Sequence, residues 1–317
     1  MAKRRMGLIA FLLCFCIYLM PLQVLAASTA DAKEPIATNQ NGFLTVSYCS
    51  GGVAFADLPV KLYQIAAVSA NYQYTLTPSF GDSKLILNGV QSVGEWNVIR
   101  STLETYILAN AIAADFSAVT DAEGKAAFDG LKPGLYLAIT ERVTQGEVTY
   151  VFESALIALP GLGVDGLWQY QVDVTAKSGI VPPGGDDEIE HKVIKLWKGD
   201  NGSADRPSAV EVEIFRNGAS YQKVMLSEEN HWTYTWSAKD DGSDWKVVER
   251  NVPAGYTMTI EERQHAFVIT NTLSDGPGVP PPPQTGDTAN IMLYVILMIV
   301  SGSVLVILGI TGKRNRV

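Results

Sequence analysis

The chain has 317 residues, of which 47% are apolar and 18% charged, and its formal net charge is -9. This composition excludes an intrinsically disordered chain, which is poor in apolar residues, and an acidic surface repels the phosphates of nucleic acid. Three cysteines are too few for a disulfide scaffold or a multi-cysteine zinc module. The length suggests two domains with additional segments.

The N-terminus has the organisation of a secretory signal peptide. Three basic residues at positions 3–5 precede an apolar run over residues 7–20, and small residues lead up to Ala26. We expect cleavage after Ala26, so that residues 1–26 are removed and residues 27–42 form an N-terminal tail. Cleavage also removes two of the three cysteines and leaves Cys49 without a partner for an internal disulfide.

The C-terminus combines an apolar stretch with a basic tail. Residues 291–310 carry no charge and are about as long as a helix that crosses a bilayer. Lys313, Arg314 and Arg316 follow, and positive residues of this kind stay on the cytoplasmic side. We therefore expect residues 288–317 to form a transmembrane helix and its basic tail in the precursor.

A short motif lies just before this stretch, in the sequence Pro282-Pro283-Gln284-Thr285-Gly286-Asp287. Motif, apolar span and basic tail together resemble the LPxTG-type cell-wall sorting signal of Gram-positive surface proteins. The resemblance implies that sortase recognises Pro283, cuts between Thr285 and Gly286, and joins Thr285 to an amine of peptidoglycan. Pro282 stands where leucine is usual. The alternative is a single-pass membrane protein with a proline-rich stalk.

Two segments rich in glycine and proline divide the remainder. Residues 179–188 form a predicted linker and residues 276–287 a proline-rich spacer that carries the sorting motif. They delimit residues 43–178 and 189–275, in which short alternating runs between turn signals indicate β-strands. We predict a mainly β protein with two tandem immunoglobulin-like β-sandwich domains. One helix over residues 94–114 is inserted in the first domain, and its apolar stripe of Ile99, Leu103, Ile107 and Ala111 is expected to lie in the core.

In the second domain, three predicted strands each point one polar residue to their apolar face. Lys195 shares a face with Val193 and Trp197, and the same alternation places Glu249 and Asn271 on the apolar faces of two later strands. A buried lysine and a buried carboxylate are costly unless they are paired or neutral. Burial lowers the pKa of a lysine and raises that of a glutamic acid, so a neutral amine and a protonated acid are expected here.

The segment around these residues resembles the Cna-B-type domains of Gram-positive adhesins and pilins. The resemblance implies that Lys195 and Asn271 form an isopeptide bond with catalytic assistance from Glu249. The alternative is a buried Lys–Glu ion pair beside a hydrogen-bonded Asn. The matching segments are Val193-Ile194-Lys195-Leu196-Trp197, Arg206-Pro207, Leu226-Ser227, Asn230-His231-Trp232, Val248-Glu249, Val252-Pro253-Ala254-Gly255-Tyr256 and Phe267-Val268-Ile269-Thr270-Asn271-Thr272.

The end of the first domain resembles the pilin motif of sortase-assembled pili. Trp168, Val172, Val174 and Lys177 have the spacing of that motif, although Thr175-Ala176 replaces its Tyr-Pro. The resemblance implies that Lys177 is the amine joined to Thr285 of another copy. The alternative is a solvated lysine at the end of a strand.

The first domain as a whole also resembles the N-terminal domain of such pilins, yet we predict no cross-link in it. Lys61 and Glu141 are candidates, but no acceptor amide accompanies them.

Other polar residues give weaker signals. His191, His231 and His265 lack the spacing of metal ligands and are expected on the surface. We therefore predict no metal, no cofactor and no enzyme activity other than the intramolecular reaction.

The leading hypothesis is a secreted, sortase-anchored cell-wall protein, most simply a pilin subunit stabilised by a Lys–Asn isopeptide bond. Its expected partners are sortase, peptidoglycan, the membrane before sorting, and other copies of itself or other pilins. The alternative is a wall-anchored adhesin or accessory pilin that binds a host or cell-surface ligand without polymerising. A hydrolytic enzyme lacks supporting residues.

Overall fold

The computed structural model describes residues 34–181, 184–185, 187–200 and 206–273. The predicted signal peptide, sorting motif and transmembrane stretch all lie outside these residues. Within the described ranges, no helix is both long enough and apolar enough to cross a membrane.

The described residues are mainly β-strand, which confirms the prediction from alternating side chains. Buried and half-buried residues alternate along β1 (Gly42–Ser47), so each strand turns one face to a core. In residues 42–181 the other strands are β2 (Cys49–Ser50), β3 (Val53–Ala54), β4 (Pro59–Val68), β5 (Tyr74–Leu76), β6 (Phe116–Val119), β7 (Lys125–Leu131), β8 (Gly134–Thr140), β9 (Val143–Gln145), β10 (Val148–Phe152), β11 (Ala155–Leu159), β12 (Gly161–Leu162), β13 (Trp168–Gln169), β14 (Gln171–Thr175) and β15 (Ser178–Val181).

Two sheets dominate this first part. One has the order β14-β1-β7, with β1 parallel to β14, and the other has the order β11-β8-β4-β5, with β6 also paired to β4. Apolar side chains such as Leu44, Val46 and Leu62 fill a core between them. Strand β15 pairs with β10, so the first residues of the predicted linker form a strand.

One α-helix, α1 (Val93–Asn110), interrupts the strands close to the predicted position. The Ser92 hydroxyl accepts from the Glu95 backbone N–H and the Glu95 carboxylate accepts from the Ser92 N–H, which is a capping box. The helix ends at Ala111, whose backbone is left-handed with φ 48°. Ile99, Leu103 and Ile107 lie in a core cluster together with Trp96, as the apolar stripe predicts for these three residues. Ala111, the fourth residue of the predicted stripe, is exposed because the helix ends there. A 3-10 turn at Pro78–Ser83 adds Phe80 to the same cluster.

The second part, residues 188–273, is a sandwich of two sheets. One has the order β19-β16-β22-β21, with β16 parallel to β22, and the other has the order β18-β17-β20. Its elements are β16 (Glu188–Lys198), β17 (Ala209–Arg216), β18 (Ala219–Ser227), a 3-10 turn (Glu228–Asn230), β19 (Thr233–Lys239), β20 (Trp245–Glu249), β21 (Tyr256–Arg263) and β22 (Ala266–Leu273).

Helix α1 also contacts the second sandwich with its other face. The Thr102 hydroxyl accepts a 2.8 Å hydrogen bond from the backbone N–H of Ile260 in β21. Glu104 lies 3.2 Å from Lys246 of β20, and both side chains are largely buried. The helix therefore contacts two cores at once, and the described residues belong to one compact unit.

Candidate functional site

The first group of the candidate site is the amine of Lys195, which lies inside the second sandwich. Alternation along β16 turns Val193 and Lys195 inward, and Lys195 is only 2% exposed. Its Nζ donates to the Leu196 carbonyl at 3.1 Å and lies 4.2 Å from the centroid of the Trp197 indole. The amine is therefore held among backbone, aromatic and acidic groups.

Asn271, on the last strand, lies on the same inward face. In the parallel pairing of β16 with β22, Lys195 is opposite Ile269 and Trp197 is opposite Asn271. Lys195 and Asn271 are thus diagonal neighbours on one face of the sheet, and Asn271 is 0% exposed. The strand pairing, and not sequence proximity, brings them together.

Glu249 reaches the same place from the opposite sheet. It ends β20 and is 3% exposed. Its Oε2 lies 3.4 Å from Lys195 Nζ, and its Oε1 accepts a 2.8 Å hydrogen bond from Asn271 Nδ2. The carboxyl group therefore bridges the amine and the amide, and the structure brings all three predicted residues together.

Burial shifts both titrations in the directions that the sequence predicts. Removal from water lowers the pKa of the Lys195 amine to about 8, and the charge of Glu249 only partly opposes this. Removal from water also raises the pKa of the Glu249 carboxyl group, against the smaller influence of Lys195 and Asn271. At a given pH, the Lys195 amine and the Glu249 carboxyl group are therefore neutral more often than the same groups would be on an exposed surface.

Two buried oxygens of the site have no hydrogen bond among the described residues. They are Asn271 Oδ1 and Glu249 Oε2. A buried oxygen left unpaired costs about 1–3 kcal/mol. If the Asn271 amide turns over, its oxygen faces Glu249, and a protonated carboxyl group can donate to it. Glu249 is thus placed to polarise the Asn271 carbonyl, with the Lys195 amine 3.4 Å from the Glu249 carboxyl group.

Sequence reasoning missed a polar network beside the amine. The Arg206 guanidinium pairs with both carboxylate oxygens of Asp200, and the Tyr256 hydroxyl donates to the same carboxylate at 2.8 Å. Arg206 also lies over the Trp197 ring, 5.5 Å from its centroid. The signal was present, because Arg206 and Tyr256 fall in segments that matched the family pattern, but no role was assigned to them.

Lys177, the predicted polymerisation lysine, lies on the surface. Its side chain is 77% exposed, and its Nζ is 3.9 Å from the Glu153 carboxylate. The preceding residues Val172 and Val174 pack against the first core from β14, and Ala176 is buried. The chain thus presents the amine at the end of a fixed strand.

Lys61 and Glu141 form an ion pair at the surface of the first part. Their charged atoms are 3.7 Å apart and their side chains are 53% and 77% exposed. Such a pair is screened by water and differs from the buried arrangement around Lys195.

The expectation that His191 lies on the surface is wrong. It is 2% exposed, stacks on Trp236 with ring centroids 5.2 Å apart, and neither ring nitrogen has a hydrogen bond among the described residues. Burial and the neighbouring His265 lower its pKa. The alternation that turns Val193 and Lys195 inward also turns His191 inward, so the signal was in the sequence. Across the described ranges, no group of three or more His, Cys, Asp or Glu side chains is placed to hold a metal ion.

Comparison with known proteins identifies the second sandwich. Residues 191–272 match the family described as Cna protein B-type domain. A curated relative, the collagen adhesin of Staphylococcus aureus, is 30% identical over 93 residues, which cover 26% of this chain and 8% of the relative. The chain therefore corresponds to a small fraction of that longer protein.

Several solved structures are similar at lower identity. A single B repeat unit of the collagen-binding surface protein of S. aureus is 15% identical, with 74% of this chain and 99% of that chain covered and a TM-score of 0.26. The full-length major pilin SpaD of Corynebacterium diphtheriae is 11% identical, with 76% and 99% covered and a TM-score of 0.29. The minor pilin GBS52 of Streptococcus agalactiae is 17% identical, with 76% and 100% covered and a TM-score of 0.25. The family match is confined to residues 191–272, which form the second sandwich and are similar to a Cna protein B-type domain.

Proposed function

We propose that this chain is a sortase-anchored surface protein of the Gram-positive cell wall, a pilin subunit whose Cna B-type domain forms a Lys195–Asn271 isopeptide bond. The observation that carries the proposal is the convergence of Lys195, Glu249 and Asn271 in a dry interior. An unreacted buried lysine and carboxylate would be a lasting cost, whereas the amide product is neutral.

The reaction needs only the groups already in place. Lys195 Nζ attacks Cγ of Asn271 and forms a new C–N bond, while protonated Glu249 donates to the carboxamide oxygen. The bond between Cγ and Nδ2 of Asn271 then breaks, and ammonia leaves with the proton that the amine gives up. Glu249 recovers its proton when the carbonyl reforms. The fixed separation of the groups supplies the high effective concentration that a reaction between two weak partners requires.

The intact mass of the purified protein tests this reaction. We expect the wild-type chain to lack the mass of one ammonia molecule, and the Glu249→Ala variant to keep its full mass because no acid polarises the amide. Peptide mapping should find Lys195 and Asn271 in one branched fragment. The Glu211→Ala variant, which changes a half-buried carboxylate that is not one of the three groups, is the matched control and should still lose ammonia. A wild-type chain of full mass overturns the cross-link.

Wall attachment is proposed from the order of the segments at the C-terminus, which lie outside the described residues. In this proposal residues 1–26 direct export, sortase cuts between Thr285 and Gly286, and residues 276–285 hold the two domains, 43–178 and 189–275, away from the wall. Residues 288–317 keep the precursor in the membrane until that step.

Polymerisation through Lys177 is supported by its position. The amine is exposed and lies at the end of a strand that the core fixes, so it is accessible to an enzyme-held acyl group. With the matching sortase present, we expect a ladder of species that survives SDS, and we expect Lys177→Ala to abolish it. Lys125→Ala, a change at another exposed lysine of the first part, should leave the ladder intact.

The alternative is a wall-anchored adhesin or accessory subunit that does not polymerise. The similarity to a protein named collagen adhesin favours this reading, although it covers 8% of that protein. Absence of the ladder from the wild type favours the alternative over the pilin. Persistence of the ladder in Lys177→Ala overturns the role of Lys177, because the copies are then joined through another amine.

A further inference from the structure

The indole of Trp197 forms one wall of the cross-linking site. It follows Lys195 by two positions on the same strand, and its backbone pairs with that of Asn271. The Lys195 amine lies over its ring at 4.2 Å from the centroid. The ring therefore adjoins both reacting residues, and its position limits where the amine can lie.

Arg206 places a second positive charge over the same ring. Its guanidinium lies 5.5 Å from the indole centroid and is fixed at two points by the carboxylate of Asp200. Asp200 is itself held by the Tyr256 hydroxyl, and the Tyr256 ring packs edge-on against Trp197 at 5.2 Å between centroids. Arg206 therefore cannot move away from the ring without breaking its hydrogen bonds to Asp200.

Two cations thus lie over one aromatic ring. An indole attracts a cation, so Trp197 alone would stabilise the charged and unreactive form of the lysine. Burial is the largest influence on the pKa of the Lys195 amine and lowers it, and Glu249 raises it. The charge of Arg206 lowers that pKa further, while Asp200 acts in the opposite direction. Arg206 thus influences the Lys195 amine in two ways without contacting it: it packs on the Trp197 ring beside the amine, and its charge lowers the pKa of the amine.

We propose that Arg206 is a positioning residue for isopeptide formation: fixed by Asp200, it holds the Trp197 indole beside Lys195 and occupies that ring with a second positive charge, which favours the neutral amine. This inference depends on the proposed isopeptide reaction. Arg206 takes no part in the bonds that form and break, and its effect is on how much of the amine is ready to attack.

The test is a pH–rate profile of ammonia loss. The full chain is made by cell-free translation, synthesis is arrested, and the product is moved to buffers between about pH 6 and 10 while its mass is followed. In Arg206→Gln we expect the midpoint of the profile to move to higher pH, because the amine pKa rises. If it rises by about one unit, the rate near pH 7 falls about tenfold. Arg206→Lys keeps the charge and should keep the wild-type midpoint.

The possible outcomes distinguish a failure of this inference from a failure of the proposed isopeptide reaction. A wild-type chain that never loses ammonia overturns both. A wild-type chain that reacts, together with an Arg206→Gln variant of unchanged profile, overturns only the role of Arg206. Equal slowing of Arg206→Gln and Arg206→Lys at every pH also overturns it, because that result describes a residue needed only for the local fold. Near-ultraviolet circular dichroism of each variant checks that the aromatic packing is retained.

Discussion

At the scale of single residues, His191 is a buried imidazole whose pKa lies below that of an ordinary histidine. Its ring packs against Trp236 and Trp245, with His265 beside it and the charge of Asp240 nearby. Its pKa is lowered in the folded protein, so the unfolded chain binds the proton more tightly. Stability from the neutral ring is therefore present above the ordinary histidine pKa and is lost as the pH falls below it.

We predict that replacing His191 with Phe removes this acid sensitivity. In the wild type, one proton contributes a slope of up to about 1.4 kcal/mol per pH unit in the free energy of unfolding between pH 7 and 5. His191→Phe keeps an aromatic ring in the stack and should show a flatter dependence in thermal unfolding. His231→Asn, at an exposed position with φ 53°, is the control and should keep the wild-type slope. An unchanged slope in His191→Phe contradicts the assignment.

Single residues also show what the sequence could predict of the site. The period of two along a strand turned Lys195, Glu249 and Asn271 inward, and the structure agrees. The same rule applied to His191 would have buried it. Arg206 lies in a segment that matched the family pattern, but alternation could not predict its contact with Trp197, because Arg206 precedes β17 and lies in no strand.

At the scale of elements, helix α1 is joined to strand β21 by one side chain. Thr102 Oγ1 donates to the Val98 carbonyl within the helix and accepts from the Ile260 N–H across the contact. Thr105 has a similar burial and donates only to Ser101 within the helix. The two threonines thus differ mainly in the bond to β21.

We predict that Thr102→Val destabilises the protein by about 1–3 kcal/mol, because the Ile260 N–H is left buried without an acceptor. Thr105→Val loses only a bond inside the helix and should cost less. Chemical denaturation measures the difference, and hydrogen exchange should show faster exchange of the Ile260 amide in Thr102→Val alone. Equal exchange at Ile260 in the two variants would mean that this bond does not secure the strand.

The element scale also marks the limit of prediction for the fold. The apolar stripe of the helix correctly placed Ile99, Leu103 and Ile107 in a core, but it wrongly included Ala111, which is exposed. The local pattern did not indicate that the opposite face would contact β21. Thr102 and Ile260 are far apart in the chain, and neither residue type is unusual at its position. Contacts between distant segments carry no periodic signal.

At the scale of the whole molecule, the proposed bond would close a loop between residues 195 and 271. By the loop-entropy argument used for disulfides, a covalent link over about 77 residues stabilises the folded state by about 4–5 kcal/mol. The stabilisation arises because the link reduces the conformational entropy of the unfolded chain. Unlike a disulfide, the bond forms without an oxidant.

We predict that Lys195→Met, which removes the amine and keeps an apolar chain, lowers the free energy of unfolding by about this amount and lowers the melting temperature. Lys192→Met, a change at a half-buried lysine of the same strand, should have a much smaller effect. Circular dichroism during heating provides the measurement. A Lys195→Met protein that melts with the wild type would show that no link restrains the unfolded chain.

The parallel pairing of first and last strands determines how this molecule meets a mechanical load. Strand β16 is the first strand of the second sandwich and β22 is the last, and because they run in the same direction the chain enters and leaves at opposite ends of the pair. Strand β1 and strand β14 repeat this arrangement in the first part. Pulling on the two ends therefore shears each pair lengthwise, so that its hydrogen bonds resist together instead of unzipping one at a time.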